Sequence, residues 1–296
     1  MERVMTPTDC RSPDYLNAFL NAYPDQSDII SIALSIIGKA GGPNEIELFF
    51  GPKLRQALDE VIDMPRTSRY RLDQTEKTEK TYIGTKVEIV LRHELSLDRG
   101  NTLDTNINGY EVDIKNTTGS NWMIPREATN EICLLAQTSD QDGTFSVGLL
   151  RCSEDNLSLG GNRDQKKSVS ASGKKNILWL VKDGQMPENV FLHMNPETRD
   201  RIFNAGGAAR RLAELFRSRI GVITHRYLIE SVSQQLDYMK RLRRNGGAQD
   251  ILDEEGLEIL WGGRRDDNEA AQLAGYHPLS RDEFVCLRKA DIRRST

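Results

Sequence analysis

The strongest constraint in this 296-residue chain is a change of hydrophobic period near residue 100. Before it, apolar residues recur at helical spacing. Residues 12–38 open at Ser12-Pro13-Asp14, carry Ile29, Ile32, Ala33, Ile36 and Ile37 as a stripe, and stop at Gly41-Gly42-Pro43, so they read as one helix. Gly51–Ile62 sets Leu54, Ala57, Leu58 and Val61 on one face before Met64-Pro65 breaks it. Lys80–Leu95 turns Val87, Ile89 and Leu91 toward a core. Beyond the change, strands dominate. Leu103–Thr105 and Tyr110–Lys115 flank Asn106-Ile107-Asn108-Gly109, whose Asn-Gly pair predicts a hairpin. Ile132–Thr138, Phe145–Cys152 and Ile177–Leu180 read as further strands, followed by a linker around Lys182–Pro187.

The pattern changes again after that linker. Helices are expected at 195–205, 208–219 and Tyr227–Arg243, the last with Leu228, Val232, Leu236 and Met239 on one face and Gly246-Gly247 as its stop. Strands at Leu257–Trp261 and Phe284–Arg288 flank a short helix at Glu269–Leu273. Helices plus a small hairpin suit a winged-helix DNA-binding module, as they suit many other small α+β folds. The expected division is therefore residues 1–180, a linker at 181–189, and 190–296, α/β in the first part and α+β in the second.

Composition narrows the classes. With 38% apolar and 28% charged residues there is enough to bury a core. No stretch approaches 18 consecutive apolar residues, and the first residues lack an apolar signal region, so neither a membrane span nor a secretory signal is expected. Cys10, Cys133, Cys152 and Cys286 are far apart without a C-x-x-C pair, which argues against zinc and a disulfide framework and for a cytoplasmic, reducing setting. The net charge of −4 is uninformative, but its distribution is not. Residues 181–296 hold 19 Lys and Arg against 18 Asp and Glu, with the cations clustered at Arg210, Arg211, Arg217, Arg219, Arg226, Lys240, Arg241, Arg243 and Arg244. Such a cluster makes either a solvated helix surface or a phosphate-binding face.

The chemistry sits in the predicted hairpin. Asp113 and Lys115, two residues apart on a strand, point to one face, and Asp104 lies beside them on the partner strand. Two carboxylates and a lysine form a minimal site for Mg²⁺-dependent phosphodiester hydrolysis. The carboxylates suit a hard cation, which polarises phosphate and activates water, and the lysine orients that water or neutralises developing charge. Taken alone, the string D-x(n)-[DE]-x-K more readily reads as alternating charge on a half-exposed strand. Glu111 shares the face of Asp113 and Lys115. Trp122 reads as packing rather than base stacking.

A longer set of residues is more specific. Lys77-Thr78-Glu79-Lys80-Thr81-Tyr82-Ile83-Gly84-Thr85-Lys86-Val87-Glu88-Ile89 is followed by Asp104, Tyr110–Lys115, Asn121-Trp122-Met123-Ile124-Pro125 and Ile132-Cys133-Leu134. Asn162-Arg163-Asp164, Glu188-Asn189, Arg199-Asp200, Ile202-Phe203, Met239-Lys240-Arg241, Gly246-Gly247-Ala248, Ile251-Leu252 and Glu255-Gly256 continue the order. In these the chain resembles the NaeI-type (type IIE) restriction endonucleases, from about Leu54 to at least Leu260, with residues 1–50 a divergent helical extension.

The resemblance implies a nuclease domain of the PD-(D/E)xK type, its mixed central sheet flanked by helices, followed by a winged-helix-like (CAP-like) DNA-binding domain. It implies a Mg²⁺-dependent enzyme cutting double-stranded DNA, a homodimer binding two DNA sites, one as activator, with a cognate DNA methyltransferase in a prokaryotic cytoplasm. Asp104 and Asp113 are implied metal ligands, joined by Glu88 and the carbonyl of Ile114. Lys115 is the implied cation at water or phosphate, and Thr78 a phosphate contact. Glu111 is not required by the family pattern. Where that pattern has Cys, this chain has Ile114, of which only the carbonyl is needed. Arg210, Arg211, Arg217, Arg219, Lys240, Arg241, Arg243 and Arg244 are the candidate DNA contacts. The competing readings are a nicking or repair nuclease and a DNA-binding regulator with a vestigial site.

Overall fold

Pro24 splits the first helical stretch: a proline cannot continue a helix, and the expected single helix is two, α1 (Tyr15–Ala22) and α2 (Ser27–Lys39). The structure, a computed structural model, describes residues 8–161, 164–235 and 237–294. Asn162 and Arg163 of the resemblance, and Leu236 of the expected apolar stripe, lie outside the described residues. The chain divides into two compact units, Met1–Ile62 with Arg71–Asn189, and Asp63–Tyr70 with Val190–Thr296.

In the first unit α3 (Ile46–Ile62) starts earlier than expected and runs through Pro52. One lost backbone donor is outweighed by the apolar row Ile46, Phe50, Leu54 and Leu58, all fully buried. A short α4 (Met64–Thr67) falls in the second unit, and α5 (Lys77–Glu94) returns to the first. Ile89 does not face the core as expected; it is exposed, because it lies some 200° around the helix from buried Val87.

The strands are β1 (Asp98–Arg99), β2 (Thr105–Ile107), β3 (Tyr110–Thr117), β4 (Met123–Ile124), β5 (Ile132–Ser139), β6 (Thr144–Arg151), β7 (Leu157–Gly161) and β8 (Lys167–Val169), then the short α6 (Ala171–Lys175) and β9 (Leu178–Gln185). Six form a sheet in the order β1-β2-β3-β5-β6-β9, mixed because β3 runs parallel to β5 while the other pairs are antiparallel. A second small sheet has the order β4-β8-β7. Residues 182–185, expected in the linker, complete β9 instead, since Gly184 and Gln185 pair with Phe145 and Thr144 to satisfy the ladder of β6 to its end.

Side chains alternating along β3 separate two cores. Val112 and Ile114 join the cluster built with α2, α3 and α5. On the other face, Cys133 and Leu135 of β5, the register partners of Asp113 and Lys115, belong to a smaller cluster with Leu103, Trp122 and Cys152. Trp122 is packing: it is buried, and its indole donates to the Ala136 carbonyl at 2.7 Å.

The second unit continues with α7 (Val190–His193), α8 (Pro196–Asn204), α9 (Ala208–Ser218), β10 (Thr224–His225), α10 (Arg226–Ser233), α11 (Tyr238–Leu242), α12 (Ala248–Glu254), β11 (Leu257–Trp261), α13 (Arg265–Leu273) and β12 (Glu283–Arg288). The helix expected over 227–243 is two, because Gln234 takes a left-handed conformation (φ 53°) that ends the first. Gly246-Gly247, expected only as a stop, also precedes a further helix, α12. The three strands pair in the order β10-β12-β11, antiparallel throughout. No helix among the described residues is long and apolar enough to cross a membrane.

Candidate active site

The hairpin turn is tighter than the four residues expected. Ile107 pairs with Tyr110, leaving Asn108 and Gly109 as a two-residue loop with φ of 54° and 89°. Two successive positive φ values define a type I′ turn, for which Asn-Gly is the favoured sequence. The turn sets the register: Thr105 faces Val112, so the next position outward sets Asp104 against Asp113. Asp104 itself lies just before β2, not within the strand expected at 103–105.

Two carboxylates facing each other across strands repel, and the structure answers this with one cation. Lys115 Nζ lies 2.7 Å from Asp113 Oδ2 and 3.5 Å from Asp104 Oδ2, and it donates to the Ile114 carbonyl at 3.3 Å. Asp104 Oδ2 also accepts the Ile114 backbone N–H at 2.7 Å. Asp113 is 3% exposed, and burial, then its hydrogen bond with Asp104, pushes its carboxyl up to about 7 against the pull of Lys115. Burial alone pulls the Lys115 ammonium down, but the charges of Asp113 and Asp104 and a hydrogen bond to Asp113 raise it on balance. Asp113 Oδ2, although close to the ammonium, receives no well-aligned hydrogen bond among the described residues.

Three expected side chains and one carbonyl are thus brought together: Asp104, Asp113, Lys115 and Ile114 O. Glu88 and Thr78 are not among them. Both ride on α5, whose buried face packs into the Val112–Ile114 core, opposite the face of Asp113 and Lys115. Glu88 pairs with Arg92 at 3.0 Å one turn on, and Thr78 is exposed in the first turn of the helix.

Glu111 is the residue that motif reasoning set aside and the structure ties to the site. Its carboxylate accepts the backbone N–H groups of Asn101, Thr102 and Leu103 at 2.9, 3.0 and 2.8 Å. Those bonds hold it down at about 2. Its shared face with Asp113 and Lys115 was a signal in the sequence; the loop it binds was not.

The basic residues of the second unit fare differently. Arg211 spends its guanidinium on the carbonyls of Gly206, Val232 and Ser233 at 2.6–2.8 Å, capping α10. Arg217 pairs with Glu214 and Glu255, and Arg244 with Asp253 and Glu258. Arg219 donates to Thr224 and the Ile223 carbonyl, and Arg241 to Gln235. Arg210, Lys240 and Arg243 are exposed, and among the described residues their side chains have no ion pair or hydrogen bond.

A family model described as Restriction endonuclease NaeI matches residues 49–296, through the last strand and beyond the extent expected from motifs. The chain is a restriction endonuclease, a site-specific deoxyribonuclease. It is 37% identical over 243 residues to the Type II restriction enzyme NaeI of Lentzea aerocolonigenes, covering 79% of this chain and 76% of that relative. The chain belongs to the NaeI restriction endonuclease family.

Proposed function

We propose that this restriction endonuclease cuts both strands of double-stranded DNA at a specific sequence with Mg²⁺, using Asp104, Asp113, Lys115 and the Ile114 carbonyl. The observation that carries this is the convergence of two carboxylates, one of them buried with a misaligned oxygen, on a single lysine. The donor set fits a small hard cation. It is all oxygen, it has few protein ligands and so leaves room for water, and a carboxyl pushed up by burial gains from a dication that replaces its proton. When bound, Mg²⁺ supplies polarisation of the scissile phosphate and a water of lowered pKa. Asp104 and Asp113 hold it, and Asp104 is oriented by the Ile114 N–H. Lys115 keeps its proton beside both carboxylates and presents an N–H to the attacking water or the phosphate oxygen. In this reading Thr78 contacts phosphate, and Glu88 reaches the metal through water.

The second unit is proposed as a winged-helix-like (CAP-like) DNA-binding domain. Its element order, helix–strand–helices–strand–strand, and its strand order β10-β12-β11 support this, with α13 inserted between the last two strands. The type IIE behaviour, a homodimer activated by a second DNA site, and a cognate methyltransferase are proposed from family membership. Cleavage of a mixed-sequence plasmid with Mg²⁺, beside gel shifts with Ca²⁺, tests the whole. Discrete fragments with the wild type, absent in Lys115→Ala while Ca²⁺-supported binding persists, are expected. Binding without cleavage by the wild type points instead to a DNA-binding regulator. A short duplex carrying the mapped site, added in trans, accelerates cleavage of a one-site plasmid if a second site activates; no acceleration rejects that part.

A further inference from the structure

Asp104 sits at the end of a five-residue loop, Gly100–Asp104, that joins the paired residues Arg99 and Thr105. No strand or helix holds its backbone, and Asn101 and Thr102 are exposed. On one side Leu103 anchors it in the core beside Trp122. On the other, three successive amides, those of Asn101, Thr102 and Leu103, turn inward onto the Glu111 carboxylate. Successive N–H groups converging on one anion form a nest, and charge-assisted bonds of this kind are the stronger hydrogen bonds. Gly100 fits the same reading: a Cβ there would run into the Leu103 carbonyl oxygen and stand 2.8 Å from Glu111 Oε2.

Strand β3 therefore presents three charged side chains on one face at intervals of two: Glu111 toward the loop, Asp113 into the site, Lys115 between the carboxylates. Resting on the site proposed above, we infer that Glu111 is a positioning residue, whose carboxylate gathers the 101–103 amides and thereby sets Asp104 opposite Asp113 for metal binding. A glutamine offers one carbonyl oxygen in place of two charged ones and cannot hold all three amides equally well.

The test measures Ca²⁺ affinity of the protein–DNA complex by calorimetry and the Mg²⁺ dependence of cleavage, for wild type, Glu111→Gln, Glu111→Asp and Asp104→Asn. Groups that orient metal ligands typically govern metal affinity by about 10–100-fold. Glu111→Gln is expected to weaken Ca²⁺ binding and raise the half-saturating Mg²⁺ by about that range, with cleavage recovering at high Mg²⁺. Glu111→Asp, which keeps the charge, recovers part of the loss. Unchanged Ca²⁺ affinity and Mg²⁺ midpoint in Glu111→Gln, while Asp104→Asn loses both, overturns the role of Glu111 and leaves the site standing. A cleavage rate lowered equally at all Mg²⁺ concentrations with a lower melting point makes Glu111 a structural staple only, and also overturns it. Should Glu111→Gln not fold, the midpoint of Glu111→Asp decides on the same criterion. Asp104→Asn that binds Ca²⁺ and cleaves like wild type overturns the site, and this inference with it.

Discussion

The β2–β3 hairpin and the basic helices of the second unit are both clusters of charge, yet they are built on opposite plans. In the hairpin, strand register forces Asp104 and Asp113 together and leaves one lysine to serve both. In the second unit, five of the eight candidate DNA contacts are already engaged by carbonyls, carboxylates or other polar side chains of the same unit. Charge that is close but under-compensated stores the capacity to bind; charge that is fully partnered stabilises the fold.

The largest test of that contrast is Asp113→Asn. Cleavage is expected to fall by at least about 10²–10³-fold, the scale for removing one preorganised charged group, while binding of DNA persists. Quantitative cleavage assays beside gel shifts read both.

The same substitution should make the metal-free protein more stable. Asp113 binds its proton more tightly folded than unfolded, with a carboxyl raised from 3.8 to about 7. The folded state therefore loses stability as pH rises between those values, and the cost is fully present above about 7. Asp113→Asn removes it, so the gain in melting temperature is expected near pH 8 and absent near pH 4, at roughly 2–4 °C per kcal/mol. An equal effect at both pH values would break the argument.

A smaller effect separates the cations of the second unit from one another. Lys240→Ala and Arg243→Ala, lacking internal partners, are expected to weaken DNA binding on every sequence and to lower the salt slope by about 1 each. Arg217→Ala should leave that slope alone. Its ion pairs with Glu214 and Glu255 lie at the surface, so denaturant titration should show a loss of only about 0.2–1 kcal/mol. A reversed ranking would mean that the internal pairs open on DNA.

Much of the first unit is legible in the residues alone. The Asn-Gly turn, the period of two in β3, and the strands β5 and β6 follow from local pattern, and with them the meeting of Asp104, Asp113 and Lys115. Legibility fails where a distant partner decides. Pro52 sits inside α3 because its apolar row is buried elsewhere in the unit, and residues 182–185 are strand because β6 needs a partner. Glu111, set aside by the motif, holds three amides from a loop 8–10 residues earlier.

The chain's local order by itself determined which residues could share a strand face and where the chain must turn, because alternation and the Asn-Gly conformation are properties of neighbouring residues. Only the tertiary structure decided which charges are spent and which are spare. A charge acquires its partner, its burial and its proton affinity from groups that the fold brings within a few ångströms, and spacing along the chain does not record that distance.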